Sequence, residues 1–297
     1  MNSGGFAAVV GTFDGVHRGH RYLLDDLRHR AVKAGLSTCV YTFTDHPLAT
    51  LRPEKSPRLL STVTEKLSLL DACAVDRIEI KPFGDVASMT ARQYIDLLAS
   101  NGVTLLVIGH DNRFGSDGLV TLEQFCQAAK GSGVTVEQAA ELTTPDGRDI
   151  NSSRIRQLLS AGHVTEANEL LGYEYSMTGR VVKGKQLGRT IGFPTANIDM
   201  GPQSRKLIVP NGVYACRAVI GKDIIPAMVN IGHRPTVDMP DAAMSIEAHL
   251  IGYDHDLYGR LLSLQFVERL RDERPFPTLD ALKTQLHRDR ITALSRL

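Results

Sequence analysis

Through its first half the chain alternates short apolar runs with amphipathic stretches. Phe6 to Val10 reads as a buried strand, the loop Gly11 to Gly19 follows it, and Leu23, Leu24, Leu27 and Ala31 then recur on one helical face. Thr38 to Phe43 and Arg77 to Ile80 are predicted strands, Thr90 to Ala99 a helix, Val103 to Ile108 a strand, Leu122 to Lys130 a helix and Val134 to Glu137 a short strand. Such alternation predicts an α/β fold with a parallel sheet covered by helices. Its ligand edge lies at the carboxyl ends of the strands, beside the loops after Val10, Phe43 and Ile108. Two further helices are predicted, Ser152 to Ser160 and Val164 to Leu171, and then the texture changes. From Tyr175 onward the apolar segments are short and separated by Gly and Pro turns: Met177–Val182, Val213–Ile220, Ile224–Val229, Ser245–Leu250 and Leu261–Val267. That spacing predicts an antiparallel barrel or sandwich. A closing helix, Leu279 to Leu294, sets Leu282, Leu286 and Leu294 on an amphipathic face. The expected domains are residues 1–172 and 173–297, with the boundary near Gly172–Glu174.

Composition narrows the field. The 297 residues include 34 Lys+Arg and 33 Asp+Glu, a net charge of +1, which counts against a nucleic-acid binder relying on a broad basic surface. A local anion site stays open. Apolar runs such as Leu105 to Ile108 fall far short of the roughly 20 residues a membrane helix needs. The start of the chain shows no basic stretch followed by an apolar one, so no signal peptide is expected. Cys39, Cys73, Cys126 and Cys216 are widely spaced and read as reduced, mostly buried thiols of a cytoplasmic protein.

Two segments carry chemistry. Gly11-Thr12-Phe13-Asp14-Gly15-Val16-His17-Arg18-Gly19-His20 lies between the first strand and the first helix. Glycines admit close backbone approach, a helix N-terminus offers free N–H groups to an anion, and His17 and His20 stand three apart at that helix start. Imidazolium donors there suit the charge that builds on a phosphorus during transfer. The segments Gly109 to Gly115 and Asn151 to Arg156 are expected at the same edge. The Ser-Ser pair at Ser152 and Ser153 either caps the helix or reaches a phosphate, and Arg156 adds a planar fork.

The second segment, Gly179 to Arg189, is Gly-rich and basic and runs into Thr190-Ile191-Gly192-Phe193-Pro194-Thr195-Ala196-Asn197. It is not a Walker A loop. Thr195 and Asn197, two apart on an extended chain, point the same way and offer two neutral oxygens to a hard cation such as Mg²⁺. Taken alone, Pro194 to Asn197 reads more readily as a Gly-Pro turn with polar surface residues.

The Gly-x-Phe-Asp-Gly-Val-His-x-Gly-His run resembles the nucleotidylyltransferase signature in the form used by bacterial FAD synthetases. Asn151-Ser152-Ser153-Arg154-Ile155-Arg156 is similar to that family's Ser-Ser-Thr-x-x-Arg element. The resemblance implies a Rossmann-like domain in which His17, His20 and Arg156 bind the ATP phosphates and stabilise the transition state. Gly11, Phe13, Asp14, Gly15 and Ser152 would belong to the ATP site, and Asp111 and Asn112 would lie beside the nucleotide or flavin. Gly192-Phe193-Pro194-Thr195-Ala196-Asn197, Pro210 to Tyr214, Met228 to Thr236, Glu247 to Leu250 and Asp256 to Gly259 resemble riboflavin kinase motifs in order and spacing. Carried over, Thr195 and Asn197 hold Mg²⁺–ATP with Gly184 and Lys185 nearby, Glu247 is the general base on the ribityl hydroxyl, and Arg271 meets the flavin.

Nearly the whole chain thus resembles the bacterial bifunctional riboflavin kinase/FMN adenylyltransferases. The resemblance implies FAD biosynthesis: ATP-dependent phosphorylation of riboflavin to FMN, then adenylylation of FMN to FAD with release of pyrophosphate. Mg²⁺ is the expected cofactor and small molecules the expected partners, with no nucleic acid or membrane and the chain a monomer or weak oligomer. Two competitors are a nucleotidylyltransferase acting on another phosphate acceptor with a passive barrel, and a flavin-binding regulator without catalysis. The kinase motifs oppose the first. Intact His17, His20, Thr195, Asn197 and Glu247 oppose the second.

Overall fold

The computed structural model describes residues 4–110, 113–184, 186–201, 204–233 and 244–297. The chain forms two compact units, Met1–Ser152 and Ser153–Leu297.

In the first unit the elements run β1 (Phe6–Val10), α1 (Arg18–Ala34), β2 (Ser37–Phe43), α2 (Pro47–Leu51), α3 (Val63–Asp71), β3 (Arg77–Lys81), α4 (Ala91–Ser100), β4 (Val103–Ile108), α5 (Leu122–Ala129) and β5 (Thr135–Gln138). The strands form one parallel sheet in the order β3-β2-β1-β4-β5. Residues of the central strands β1 and β4 alternate between two cores, which is why those runs are almost wholly apolar. Ala8, Val10, Leu106 and Ile108 pack with Tyr94, Ile95, Leu98 and Phe125 on one face. Ala7, Val9, Leu105 and Val107 pack with Leu24, Leu27, Ala31 and Leu70 on the other. β1 lies between β2 and β4, so the order reverses at its edge with β4, the place where open α/β sheets leave a crevice for ligands.

The second unit contains the body of α6 (Ser152–Ala161), then α7 (Val164–Leu171), β6 (Ser176–Val182), the short α8 (Leu187–Thr190), β7 (Ala196–Asp199), β8 (Gly212–Ile220), β9 (Asp223–His233), β10 (Met244–Leu250), β11 (Leu261–Arg271) and α9 (Leu279–Arg296). Six antiparallel strands close a barrel in the order β10-β7-β6-β11-β8-β9. The barrel alternative of the sequence reading is the one realised. α7 packs on β11: the Asn168 side-chain amide donates to the Phe266 carbonyl (2.8 Å) and accepts from the Tyr175 N–H (2.8 Å), and the Thr165 hydroxyl donates to the Val267 carbonyl (3.3 Å). The compact division therefore falls before α6 and α7, whereas periodicity places the boundary after them.

Four details differ from expectation. α2 and α3 were not foreseen, and neither was β7 as a strand. β9 and β11 run past their predicted ends, to His233 and Arg271. On α9, Leu286, Ala293 and Leu297 face the barrel while Leu294 is exposed, because seven residues complete two helical turns and eight overshoot them. Among the cysteines, all free, Cys39 and Cys216 are buried, Cys73 is half-buried and Cys126 is exposed.

Candidate active sites

The loop after β1 is built under backbone strain. Phe13 (φ 49°) and Val16 (φ 36°) occupy the left-handed region beside Gly15 (φ 78°). For a β-branched valine that is a true outlier, and such positions cost on the order of 1–3 kcal/mol each unless surroundings enforce them. The surroundings here do. The buried Asp14 carboxylate accepts from the Leu60 N–H (2.9 and 3.0 Å), the Ser61 N–H (3.0 Å) and the Ser61 hydroxyl (3.3 Å), while the Gly15 N–H donates to Ser61 Oγ (2.9 Å). The Ser152 hydroxyl donates to the Asp14 carbonyl (3.0 Å). Lys66 on α3 donates its ammonium to the carbonyls of Thr12 (3.1 Å) and Phe43.

This loop delivers the two histidines. His17 caps α1, its Nδ1 accepting from the His20 N–H (3.4 Å), and the rings stack with centroids 3.6 Å apart and planes at 19°. Phe13 lies edge-on to His20 at 5.0 Å. A Cβ on Gly11 would stand 3.0 Å from the Phe13 ring, so glycine there lets the ring lie over the strand end. His20 Nδ1 is buried and has no hydrogen-bond partner. Burial first, then His17, then Lys66 hold the His20 imidazole well below the usual histidine range. His20 is therefore neutral at pH 7, where the sequence reading expects an imidazolium.

In the second unit the candidate residues lie on the outer face of the barrel. Asn197 on β7, Glu247 on β10 and Asn230 on β9 form one cross-strand row. The Thr195 hydroxyl, two residues before Asn197, donates to Glu247 Oε2 (3.3 Å), which leaves its lone pairs for a cation. Gly184 lies against Asn197: a Cβ there would stand 2.6 Å from the amide carbon and 2.7 Å from Oδ1. The loop before β7 is pinned from behind. Phe193 is buried with Ala293, flanked by His249 (5.1 Å) and His287 (5.0 Å), and His249 Nδ1 pairs with the Pro194 carbonyl at 2.8 Å. Burial, reinforced by Arg290 and opposed by the Pro194 hydrogen bond, lowers the His249 pKa.

The sequence profile of the FAD synthetase family matches residues 1–154, and that of the riboflavin kinase family matches residues 171–297. The bifunctional riboflavin kinase/FMN adenylyltransferase of Escherichia coli (strain K12) is 38% identical over 295 residues, covering 97% of this chain and 92% of that protein. Its counterpart in Pseudomonas fluorescens is 36% identical over 288 residues, covering 96% and 91%. The chain belongs to the bifunctional riboflavin kinase/FMN adenylyltransferase family. A crystal structure named as a macrolide-efflux protein from Streptococcus pneumoniae superposes with a TM-score of 0.86 at 28% identity, covering 99% of this chain and 95% of that one. Among the described residues no helix is long and apolar enough to cross a membrane.

The structure brings together Gly11, Phe13, Asp14, Gly15, His17, His20 and Ser152 in the first unit, and Gly184, Thr195, Asn197 and Glu247 in the second. Arg156 follows Ser152 by four residues, on the same face of α6. Asp111, Asn112 and Lys185 lie outside the described residues. Three of the expected site residues bond within the protein itself. Asp14 and Ser152 direct their side chains to the loop itself, so in this structure they shape the cradle. The Arg271 guanidinium bonds the buried Asp289 on α9 through Nε (3.0 Å) and Nη2 (2.7 Å), with Nη1 on the Asp272 carbonyl, which ties β11 to α9. The sequence reading gave no role to Lys66, Asn230 or His249. Asn230 and His249 sit inside motif matches and were within reach; nothing in hydropathy marks Lys66 as buried.

Proposed function

We propose that this chain makes FAD from riboflavin in two ATP-dependent steps, one in residues 1–172 and the other in residues 173–297. In the barrel unit the riboflavin ribityl hydroxyl attacks the ATP γ-phosphorus; the bond to the β-phosphate oxygen breaks, ADP leaves, and the hydroxyl proton passes to Glu247. In the α/β unit an FMN phosphate oxygen attacks the ATP α-phosphorus and pyrophosphate leaves. The observation that carries the reading is that each unit holds its own phosphate-directed cluster, imidazoles at a helix start in one and hydroxyl, amide and carboxylate oxygens in the other.

His17 and His20 face the charge that develops at the α-phosphorus, with Arg156 adding a fork to the phosphate oxygens. The donors at Thr195 and Asn197 are neutral hard oxygens beside a carboxylate, a set that fits Mg²⁺ retaining waters and substrate phosphates. When bound, Mg²⁺ neutralises charge on the transferring phosphoryl group. Asn230 stands beside Glu247 on the opposite strand from Asn197, and its amide donates to Glu273 Oε1 (3.3 Å). On this reading the functional division follows the two family matches and the expected domains 1–172 and 173–297. The chain acts as a monomer or weak oligomer on small molecules in the cytoplasm, a compartment that suits four free thiols.

Incubating the purified chain with riboflavin, ATP and Mg²⁺ and following flavins by chromatography tests the reading. FMN should appear first and FAD after it. FMN without FAD would reject the first-unit assignment, and absence of both would reject the whole.

A further inference from the structure

α3 buries a lysine on its apolar face. Lys66 is 5% exposed and packs on the same side as Leu70. Its ammonium has two neutral carbonyl partners, Thr12 and Phe43, and no carboxylate within ion-pair distance among the described residues. Taking an ammonium out of water costs several kcal/mol, which two carbonyls return only in part. The loop does not need that charge to hold its shape. Thr12's carbonyl also accepts from the Thr42 hydroxyl (3.2 Å), Asp14 is clamped by residues 60–61, and Gly11 N–H pairs with the Tyr41 carbonyl (3.0 Å). An unpaired charge retained beneath the carboxyl ends of β1 and β2, close enough to act on His20, calls for a different use.

We propose that Lys66 is a positioning residue of the adenylyl-transfer site: its N–H groups help seat Thr12 at the head of the strained loop, and its positive charge, close to His20, serves the triphosphate. The inference rests on the adenylyltransferase reading of the first unit. It gives α3 a part in the reaction although α3 carries no motif residue. The hold and the charge can be separated. A neutral amine still has N–H groups for both carbonyls, but it no longer attracts phosphate. Burial pushes the Lys66 ammonium down to about 8, against the opposing pull of Asp14 on the loop and Asp45 after β2. The other charged or titratable groups facing this region are His17 and His20 at the start of α1. On its own helix, Glu65 is occupied by the Thr62 N–H (2.8 Å). Lys66 is thus charged below about pH 8 and neutral above it.

The test measures FAD formation from supplied FMN across roughly pH 6.5–9.5 in the full chain, with riboflavin phosphorylation assayed in parallel. The wild-type adenylylation rate should fall through about pH 8 as pH rises. Lys66→Arg keeps the charge and should extend the plateau to the top of the range. Lys66→Met should lower adenylylation turnover ten- to a hundredfold, the scale of a misplaced reacting group, lose the alkaline fall and leave phosphorylation within twofold. An alkaline fall that persists in Lys66→Met, or a Lys66→Met rate equal to wild type, would overturn the inference while the adenylyltransferase reading stands. If Lys66→Met does not fold, the wild-type and Lys66→Arg profiles decide: the same fall in both, or in neither, overturns it. A wild-type chain that makes no FAD from FMN at any pH rejects the adenylyltransferase reading itself.

Discussion

Gly184→Ala probes the kinase site without touching a reacting group. Gly184 has an ordinary negative φ, so alanine is tolerated by its backbone. The added Cβ would stand 2.6 Å from the Asn197 amide carbon, whereas ordinary contact begins near 3.4 Å. The amide must therefore retreat by about 1 Å or rotate away, and a displacement of that size in a positioning group costs roughly a hundredfold in rate. The stability cost should stay under about 1 kcal/mol, because the obstructing atoms end a side chain that can swing aside. Asn197 is 7% exposed and sits in register with Glu247, so the movement is transmitted to the donor set and not to the barrel core. The assay is riboflavin phosphorylation at saturating ATP and Mg²⁺, with thermal unfolding and FMN adenylylation measured on the same preparation. A hundredfold loss of phosphorylation with adenylylation and melting temperature nearly unchanged is expected. Wild-type phosphorylation in Gly184→Ala would refute the placement of Asn197 at the cation.

Three further predictions follow from the two sites. His20→Ala should cut FAD formation from FMN a hundredfold or more, about 3 kcal/mol for a lost donor to developing charge, and leave phosphorylation intact. Because His20's pKa lies below 6.5, the unfolded chain binds that proton more tightly; stability present above pH 6.5 is lost as pH falls, and the variant should melt with a weaker acid limb. An unchanged acid limb would place its origin elsewhere. Glu247→Gln keeps size and the Thr195 contact but lacks the proton acceptor, so phosphorylation turnover should drop about 10²–10⁴-fold with little change in KM; an active variant removes Glu247 from the chemistry. A fragment of residues 153–297 should fold and phosphorylate riboflavin, and one of residues 173–297 should be less stable by about 3 kcal/mol for the lost Thr165 and Asn168 hydrogen bonds. Equal melting of the two would show that α7 contributes nothing to the barrel.

What could be read from the chain was what periodicity and spacing record. β1 is apolar at every position and β4 at all but Thr104 because both faces of the sheet are covered, and the loop after β1 announces itself by glycines between strand and helix. Thr195 and Asn197 were placed on one side of an extended segment, and they are found there together with Glu247. α3 escaped because its sequence, Val-Thr-Glu-Lys-Leu-Ser-Leu-Leu-Asp, hides a buried lysine that any hydropathy pattern scores as surface. β7 escaped because four residues, two of them polar, are too short to show alternation. The extension of β9 was obscured by the polar Asn230 and by Gly232, and that of β11 by Arg269 and Arg271, charges that are satisfied by Asn211, Asp272 and Asp289 only after folding. Arg271's commitment to Asp289 spans 18 residues and two elements, a distance over which sequence pattern carries no pairing information.

The central claim is that one chain performs two transfers at different phosphorus atoms of ATP. Its most direct test is a riboflavin reaction run in parallel with ATP labelled at the γ- or the α-phosphorus, resolving FMN and FAD by chromatography. The γ-label should enter FMN and be carried into FAD, and the α-label should enter FAD alone. α-Label in FMN, or FAD formed without α-label, would contradict the account.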